Sequence, residues 1–404
     1  MLSAVKMSMS NPIHEIIEEF HVKREQIEIP LVDVKKELST YDNIVLYGAG
    51  SAGIAFLHYL LDAGIKPAFF SDGDKAKHGN VVEGLSVLPP AEIVTVAGKN
   101  CLVVVTINTD GEHYCKDFKK ELRRGGHKGV HRALHQAGCL NVIDYTYFRR
   151  CYALFTNEKY NLPACSDIEM ILDNTDKVSQ ALEVLSDDES KDTFCKILRF
   201  RLISDEVDIP VYPESKMYFE YDLFPKTDEV FVDCGACGGS SLDTFLTANN
   251  DRFAKYYGIE PDITNYNNLA SKIQAFPAEM QKKMHICNSA AWDSTSNVSF
   301  FVLHGPGSFQ ADIGPDIVNG IKIDDVLAGN SATYIKMNIE GSETKALRGA
   351  YNTIIKYKPR LAIMGYHKTS DFWEVPLIIK EYRSDYDISL RSYMKNVAFT
   401  YYAY

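Results

Sequence analysis

The sequence predicts an α/β protein with two doubly wound sheets that a mainly helical segment joins. Two stretches, residues 43–72 and 229–261, carry the same order of features: a short apolar strand, a glycine-rich turn, a helix, a second strand and an acidic residue. Between them, residues 151–228 lack sheet patterning and place apolar residues at helical spacing. Because that order is how a Rossmann-like unit holds a nucleoside, we predict two Rossmann-like units.

Composition and charge exclude several classes of protein. A chain of 404 residues is too long for one ordinary core, which indicates two or three domains. The net charge is -11 and no segment concentrates Lys and Arg, so we predict no nucleic-acid partner. No apolar run is long enough to span a bilayer, so we predict no membrane span. The N-terminal residues lack the apolar core of a signal peptide and the nine cysteines have no framework spacing, so we expect a cytoplasmic location.

The order of these segments predicts the domain boundaries. We expect leading helices over residues 1–40, a Rossmann-like nucleotide-binding domain over 41–150, a helical linker or lid over 151–228, and a second α/β domain over 229–404. Smaller features include a helix over residues 111–124 and a C-terminal hairpin that joins the edge of the second sheet. Ser186, three residues before Glu189, predicts a capping box at the start of a helix.

The first glycine-rich turn has the spacing of a dinucleotide fingerprint. Gly48, Gly50 and Gly53 follow a short apolar strand and open a helix, and Asp72 follows the next strand. In that context the glycines admit a phosphate and the acid binds a ribose, so the turn predicts a nucleotide or dinucleotide ligand. Rossmann-like units also occur as purely structural domains, and that alternative stays open here.

The second turn predicts a cofactor site of a different kind. Its wider spacing lacks the tight fingerprint that places a pyrophosphate on a helix N-terminus, which favours a nucleoside without phosphates, such as S-adenosylmethionine, over NAD. The acid of this unit would hold the ribose, and residues after the next strand would flank the adenine. The candidate cofactor residues are Asp233, Gly235, Ala236, Gly239, Glu260, Ser289 and Ala290.

A later strand of the second domain carries candidate catalytic residues. Lys336, Asn338 and Glu340 alternate with apolar residues, so a strand would place all three on one face. Glu343 follows in the first turn of a helix, where a carboxylate also suits the helix dipole. His367 follows the next strand, where an imidazole can take a proton from a substrate hydroxyl, although a lone histidine is more often structural.

Several segments in order resemble the FkbM-type methyltransferase family. They are VFVDCGACGGSS, YYGIEPD, CNSAAW, IKIDDVL, YIKMNIEGSETKALRGA and PRLAIMGYHK, within roughly residues 215–400. The resemblance implies a class I methyltransferase sheet, S-adenosylmethionine as methyl donor, and O-methylation, commonly of a sugar or polyketide-type hydroxyl. The family motif usually reads Lys-x-Asp-x-Glu-Gly, whereas this chain has Asn338 in place of the aspartate, which weakens any metal-binding or base role there.

The sequence as a whole predicts an S-adenosylmethionine-dependent O-methyltransferase. Its acceptor would be a small molecule or a glycan with a sugar or related hydroxyl, in glycan or nucleotide-sugar biosynthesis. His367, Glu340 and Glu343, with Lys336 and Asn338, would act on that hydroxyl; no metal site is assigned, magnesium stays open, and so does a homodimer. The alternatives are a nucleotide-sugar or dinucleotide-binding protein with a degenerate methyltransferase domain, and a nicotinamide-dependent enzyme acting from the first domain.

Overall fold

The structure is a computed structural model, and it describes residues 11–26, 36, 38–107, 130–145, 168–203, 209–219, 228–302, 308–310, 314–393 and 398–404. The α-helices of these residues are α1 (Pro12–Gln26), α2 (Ser51–Asp62), α3 (Ile93–Ala97), α4 (Val130–Gln136), α5 (Ile168–Asp173), α6 (Thr175–Glu183), α7 (Asp188–Ile203), α8 (Ser240–Asn249), α9 (Ile263–Gln274), α10 (Ala278–Gln281), α11 (Ile323–Leu327), α12 (Glu343–Gly349), α13 (Tyr351–Tyr357) and α14 (Asp371–Tyr382). Short 3₁₀ turns lie at Lys75–Lys77, Pro90–Glu92 and Glu214–Lys216.

The strands are β1 (Ile44–Tyr47), β2 (Phe69–Ser71), β3 (Val81–Val82), β4 (Leu85–Leu88), β5 (Leu102–Val105), β6 (Asn141–Asp144), β7 (Val230–Cys234), β8 (Lys255–Ile259), β9 (Met284–Cys287), β10 (Ala290–Ala291), β11 (Ser296–Phe301), β12 (Phe309–Gln310), β13 (Asp316–Ile321), β14 (Tyr334–Met337), β15 (Arg360–Met364), β16 (Ile388–Ser392) and β17 (Phe399–Ala403). The mixture of strands and helices confirms the predicted α/β class.

The first sheet lies within residues 44–144 and has the order β3-β4-β2-β1-β5-β6. Its strands are parallel except β3, which pairs antiparallel with β4. The four residues of β1 and of β5 are buried throughout, as apolar strands covered on both faces should be. The helix predicted over residues 111–124 lies outside the described residues.

The second sheet has seven strands in the order β16-β17-β15-β14-β7-β8-β9. Strands β9, β8, β7, β14 and β15 are parallel, and β17 pairs antiparallel with both β15 and β16. The C-terminal hairpin therefore extends the sheet at one edge, as predicted. The chain leaves β7 for β8 on one side and reaches β14 on the other. This reversal of strand order opens a crevice at the carboxyl ends of β7 and β14.

The two faces of the second sheet are covered by different helices. Phe231, Tyr256 and Tyr334 point to one face, where they form a buried cluster with side chains of α8 and α9. Val232 and Ile335, which alternate with them, point to the other face, where α6, α7, α12 and α14 pack. The alternation of the strands thus supplies apolar side chains to two layers of helices.

The leading helix α1 packs on the second sheet rather than on the first. Its buried side chains Ile13, Ile16 and Phe20 belong to the same cluster as Leu198 of α7 and Val232 of β7. The start of α7 also differs from the prediction. The Ser190 backbone N–H donates to Asp187 Oδ1 at 2.8 Å, whereas Ser186 Oγ accepts from Ile388 N. Asp187 therefore caps the helix, and the predicted capping box at Ser186 is wrong.

A smaller sheet of four strands, β10-β13-β11-β12, stands beside the crevice. Its strand β11 reaches the first α/β unit, because the Phe301 side chain is buried in the apolar cluster around the first sheet. The rings of Phe301 and His58, a residue of α2, lie 5.7 Å apart. This contact joins the two α/β units. Among the helices of the described residues, none is both long and apolar enough to cross a membrane.

Candidate functional site

A cavity of about 250 Å³ opens at the carboxyl ends of the parallel strands, where the strand order of the second sheet reverses. Open α/β sheets bind their ligands at this place. The structure brings six of the predicted site residues into its lining, together with residues of the small sheet and Tyr218. Those six are Gly235, Glu260, Ala290, Lys336, Asn338 and Glu340.

Asp233 lies beneath the cavity floor, where three side chains contact it. The Lys336 ammonium lies 3.0 Å from Oδ1, and the hydroxyls of Ser241 and Tyr256 donate to Oδ2 at 2.5 and 3.1 Å. Burial alone would lower the pKa of Lys336, but Asp233 raises it above its ordinary value, so the ammonium stays charged. The lysine also donates to the carbonyls of Cys234 and Gly235, which ties it to the turn after β7.

The glycines of this turn permit close approaches of backbone and side chain. Gly235 has φ +77°, and a Cβ there would lie 2.0 Å from the Asn338 carbonyl oxygen. Gly239 has φ +90° and begins α8 against Lys272 and Leu269 of α9, away from the cavity lining. Ala236 is fully buried below the turn. Gly235 thus brings the ends of β7 and β14 together, while Gly239 sets the packing of two helices.

Glu260 follows β8 and presents a carboxylate that is held in place by the backbone. Its Oε2 accepts from the Cys237 N–H at 2.8 Å, and its Oε1 accepts from the Asp262 N–H at 2.9 Å. The residue is 4% exposed and lines the cavity. Burial raises the pKa of Glu260, and the two N–H donors limit that rise.

Of the two predicted adenine-flanking residues after β9, Ala290 lines the cavity wall and Ser289 lies in the protein interior. Ala290 lines the cavity beside Ala291 and Phe300, whereas Ser289 is buried and does not contribute to the lining. Asp262, which was not singled out from the sequence, lies on the same side of the cavity as Ala290. It caps α9 and accepts a hydrogen bond from Ser308, a cavity residue, at 2.7 Å.

Tyr218 is a cavity residue that the sequence reasoning missed. Its backbone adopts φ +74°, its N–H donates to the Tyr402 hydroxyl at 3.0 Å, and its carbonyl accepts from the Tyr334 hydroxyl. The Asn338 side-chain amide donates to the Tyr218 hydroxyl at 2.9 Å, and Lys336 lies 5.2 Å from the ring centre. The surrounding contacts thus fix an unfavourable backbone conformation beside the cavity. The aromatic, proline-broken segment around Tyr218 carries no spacing signal that would have singled it out.

Glu340 also stands in the left-handed region, with φ +54°, and its side chain is 29% exposed in the cavity wall. Burial raises the pKa of Glu340, and the neighbouring His367 opposes that rise. A non-glycine residue in this conformation is uncommon outside functional sites and tight turns. The turn after β14 therefore directs the Glu340 carboxylate into the cavity.

His367 and Glu343 lie behind this wall. His367 Nδ1 lies 2.8 Å from Glu343 Oε1, and His367 Nε2 lies 3.7 Å from Glu340 Oε2. Burial alone would lower the pKa of His367, but Glu343 and then Glu340 raise it to about 9. Burial, and then Glu343, raise the pKa of Asp371 to about 7. Asp371, four residues after His367, was also missed by the sequence reasoning.

In the glycine-rich turn of the first sheet, the predicted ribose-binding acid Asp72 forms hydrogen bonds within the protein. Asp72 Oδ2 accepts from the Ala49 N–H at 2.8 Å and pairs with Lys77 at 2.9 Å, and Oδ1 accepts from the Asp74 N–H. A Cβ on Gly53 would lie 1.9 Å from the carbonyl oxygen of Gly48, whose φ is +114°, while Gly50 has open space around it. These contacts give Asp72 and Gly53 a role in holding strand, turn and helix together.

The cavity lies in a segment that also has a known sequence pattern. Residues 233–401 match the methyltransferase FkbM domain. The resemblance inferred from the six sequence segments is thereby confirmed for this part of the chain. Among curated proteins, none has a significant sequence match to the chain.

Solved structures extend the comparison of the fold. The chain is similar to the crystal structure of the methyltransferase FkbM from Methylobacillus flagellatus KT, with a TM-score of 0.64 and 22% identity over 97% of this chain and 100% of that chain. This likeness shows a shared fold that includes the N-terminal half. An rRNA methylase from Streptococcus thermophilus is similar over 45% of this chain and 88% of its own, with 11% identity and a TM-score of 0.29.

Proposed function

We propose that the chain is an O-methyltransferase that uses S-adenosylmethionine and acts on the hydroxyl of a sugar or a related compound. The observation that carries this proposal is the cavity at the crevice of the second sheet, which lies within the segment that matches a methyltransferase domain. The sugar-type acceptor, free, nucleotide-linked or within a glycan, rests on the resemblance to the FkbM family.

The residues on the β8 side of the cavity fit the nucleoside half of the cofactor. Glu260 offers carboxylate oxygens whose direction is set by two backbone N–H donors, which suits a ribose diol. Ala290 and Phe300 supply apolar surface on the same side, as an adenine ring requires. When bound, S-adenosylmethionine supplies an electrophilic methyl group on a sulfonium.

The residues on the β14 side fit the acceptor. The Glu340 carboxylate lines the cavity and would accept the proton of the acceptor hydroxyl. Asn338 Oδ1 is a buried acceptor without a hydrogen-bond partner among the described residues, so it can orient a ligand donor. His367 and Glu343 support Glu340 from behind and do not line the cavity. Placement of the reacting atoms in line supplies much of the rate.

Calorimetric titration with S-adenosylhomocysteine tests the cofactor assignment. We expect micromolar binding to the wild type and about 10- to 100-fold weaker binding to Glu260→Gln, because a hydrogen bond to a charged group contributes about 1.5–3 kcal/mol. The matched control is Glu279→Gln, at a glutamate whose side chain is 83% exposed. A wild type that does not bind, or a Glu260→Gln protein with unchanged affinity, would contradict the proposal.

Methyl transfer from labelled cofactor to a panel of sugars and nucleotide-sugars tests the reaction. Turnover that Glu340→Gln reduces by about 100-fold or more is the expected result for loss of a proton acceptor. Tight binding of S-adenosylhomocysteine with no turnover on any sugar would instead favour the degenerate domain, in which Asn338 replaces the aspartate of the family motif.

A further inference from the structure

Three ionisable side chains form a cluster behind the cavity wall. Glu343 comes from the start of α12, His367 from the loop after β15, and Asp371 from the start of α14, and they are 0%, 2% and 0% exposed. One ligand atom from each lies within 4.8 Å of the other two. We call these three residues the buried triad.

Several polar atoms of the buried triad have no hydrogen-bond partner. Within the part of the chain that the structure describes, this holds for both ring nitrogens of His367 and for Asp371 Oδ1. A buried polar atom left unpaired is destabilising, and such atoms in native proteins are usually explained by a bound ion or a water. His367 Nδ1 nevertheless lies 2.8 Å from Glu343 Oε1, within ion-pair distance.

The remaining carboxylate contacts fix the orientation of the triad. Glu343 Oε1 and Oε2 accept from the N–H groups of Ile339 and Gly341, both at 2.9 Å. Asp371 Oδ2 accepts from the Lys368 N–H at 2.9 Å, which leaves Oδ1 directed elsewhere. Outer contacts of this kind orient the ligands of metal ions in proteins.

The distances and charges suit a divalent cation. Adjacent ligands at about 2.1 Å from one ion lie about 3.0 Å apart in octahedral and about 3.4 Å apart in tetrahedral coordination, and the 2.8 Å from His367 Nδ1 to Glu343 Oε1 is near the octahedral value. Two carboxylates and a neutral imidazole balance a charge of +2. A nitrogen ligand beside two carboxylates favours zinc, manganese or iron over magnesium or calcium, which prefer oxygen ligands only.

We propose that Glu343, His367 and Asp371 bind a divalent first-row transition-metal ion through Oε1, Nδ1 and Oδ1. With Nδ1 on the ion, His367 carries its proton on Nε2, the nitrogen that lies 3.7 Å from Glu340 Oε2. The ion thereby orients the imidazole toward Glu340 and sets the position of the cavity wall, in the arrangement of carboxylate, histidine and metal found in other sites. This site is distinct from the cavity and stands whether or not the chain transfers methyl groups.

Metal analysis of the purified full chain, produced without a polyhistidine tag, tests the site. We expect about one equivalent of a transition metal after incubation with Zn²⁺, Mn²⁺ and Co²⁺ and removal of the excess. Asp371→Asn and His367→Gln should each reduce the bound metal by about 10-fold or more, the loss typical of a removed ligand or its support. Asp72→Asn, which changes a buried aspartate of the other sheet, should leave the metal content unchanged.

Two results would overturn the metal site. One is a wild type that retains no stoichiometric metal, which would make the buried triad a set of ion pairs centred on a charged imidazole. The other is a folded Asp371→Asn protein with the metal content of the wild type. If both triad variants fail to fold, the Co²⁺-loaded wild type decides: visible absorption bands of a protein-bound ion support the site, and the spectrum of hydrated Co²⁺ refutes it.

Discussion

Lys336 of β14 and Asp233 of β7 are register partners in adjacent parallel strands, and their side chains form a buried ion pair with an Nζ–Oδ1 distance of 3.0 Å. The two side chains are 3% and 0% exposed. The Lys336 ammonium also donates to two backbone carbonyls, and the Asp233 carboxylate also accepts from two hydroxyls. The pair therefore joins the two strands that flank the crevice, directly below the cavity.

Breaking this pair from one side should be strongly destabilising. Lys336→Met removes the cation and leaves the Asp233 carboxylate buried without its partner, which typically costs about 3–5 kcal/mol. Urea unfolding monitored by far-UV circular dichroism measures the change. Lys282→Met is the matched control, because its pair with Glu279 is 68% and 83% exposed and should contribute less than about 1 kcal/mol. Equal losses in the two variants would contradict the importance of the buried pair.

The hydrogen bond from Asn338 to Tyr218 should appear as a coupling between two substitutions. Tyr218→Phe and Asn338→Ala each remove the bond, so the double variant should lose less stability than the sum of the single variants, by about 0.5–1.5 kcal/mol. Unfolding free energies of the four proteins give the coupling. Additive losses would show that the bond has no influence on stability, and Tyr393→Phe, at a tyrosine that pairs with Tyr402 instead, should show no coupling to Asn338→Ala.

Phe301 should couple the two α/β units. Phe301→Ala removes the side chain that enters the apolar cluster of the first sheet, at a cost of about 3–5 kcal/mol. We expect thermal unfolding followed by calorimetry to separate into two transitions. Phe300→Ala is the control: that residue is also buried but packs with Ala290 and Val298, so its loss should not separate the units. A single sharp transition in Phe301→Ala would refute the coupling.

The contribution of Asp72 to stability should disappear in acid. Burial alone would raise the pKa of Asp72, but the Asp74 and Ala49 N–H groups and Lys77 lower it below its ordinary value. A lowered pKa in the folded state contributes stability that is complete above the unfolded value of about 3.9 and is lost as the pH falls through the folded value.

Asp72→Asn should therefore be less stable than the wild type by about 1.5–3 kcal/mol at neutral pH, with a smaller difference below pH of about 3.9. Urea titrations at several pH values measure this difference. A difference that grows as the pH falls would show that the carboxylate is not stabilised by its contacts.

Local sequence patterns were sufficient for the class of the fold and for much of the cavity. The apolar runs of β1, β7 and β14 and the glycines after them are short-range signals, because strand burial and turn conformation depend on neighbouring residues. Alternation predicted Lys336, Asn338 and Glu340 on one face of a strand, but β14 ends at Met337, and the turn after it brings Glu340 to the cavity that all three residues line. The cap of α7 was misplaced by one residue, since Ser186 is engaged by Ile388, a residue 202 positions away.

Contacts between distant parts of the chain decided which polar residues reach a ligand. Asp233 forms an ion pair with Lys336, which is 103 positions away. Asp233, which the sequence predicts as a cofactor ligand, therefore lies beneath the floor of the cavity and contacts Lys336. Tyr218 reaches Asn338 across 120 positions, and Asp371, four residues after His367, meets Glu343 through the packing of α14 against α12. Spacing along the chain specifies strands, turns and helices, whereas the partner of a buried polar group is set by which elements pack together. The cavity and the buried triad therefore emerge only in the folded protein.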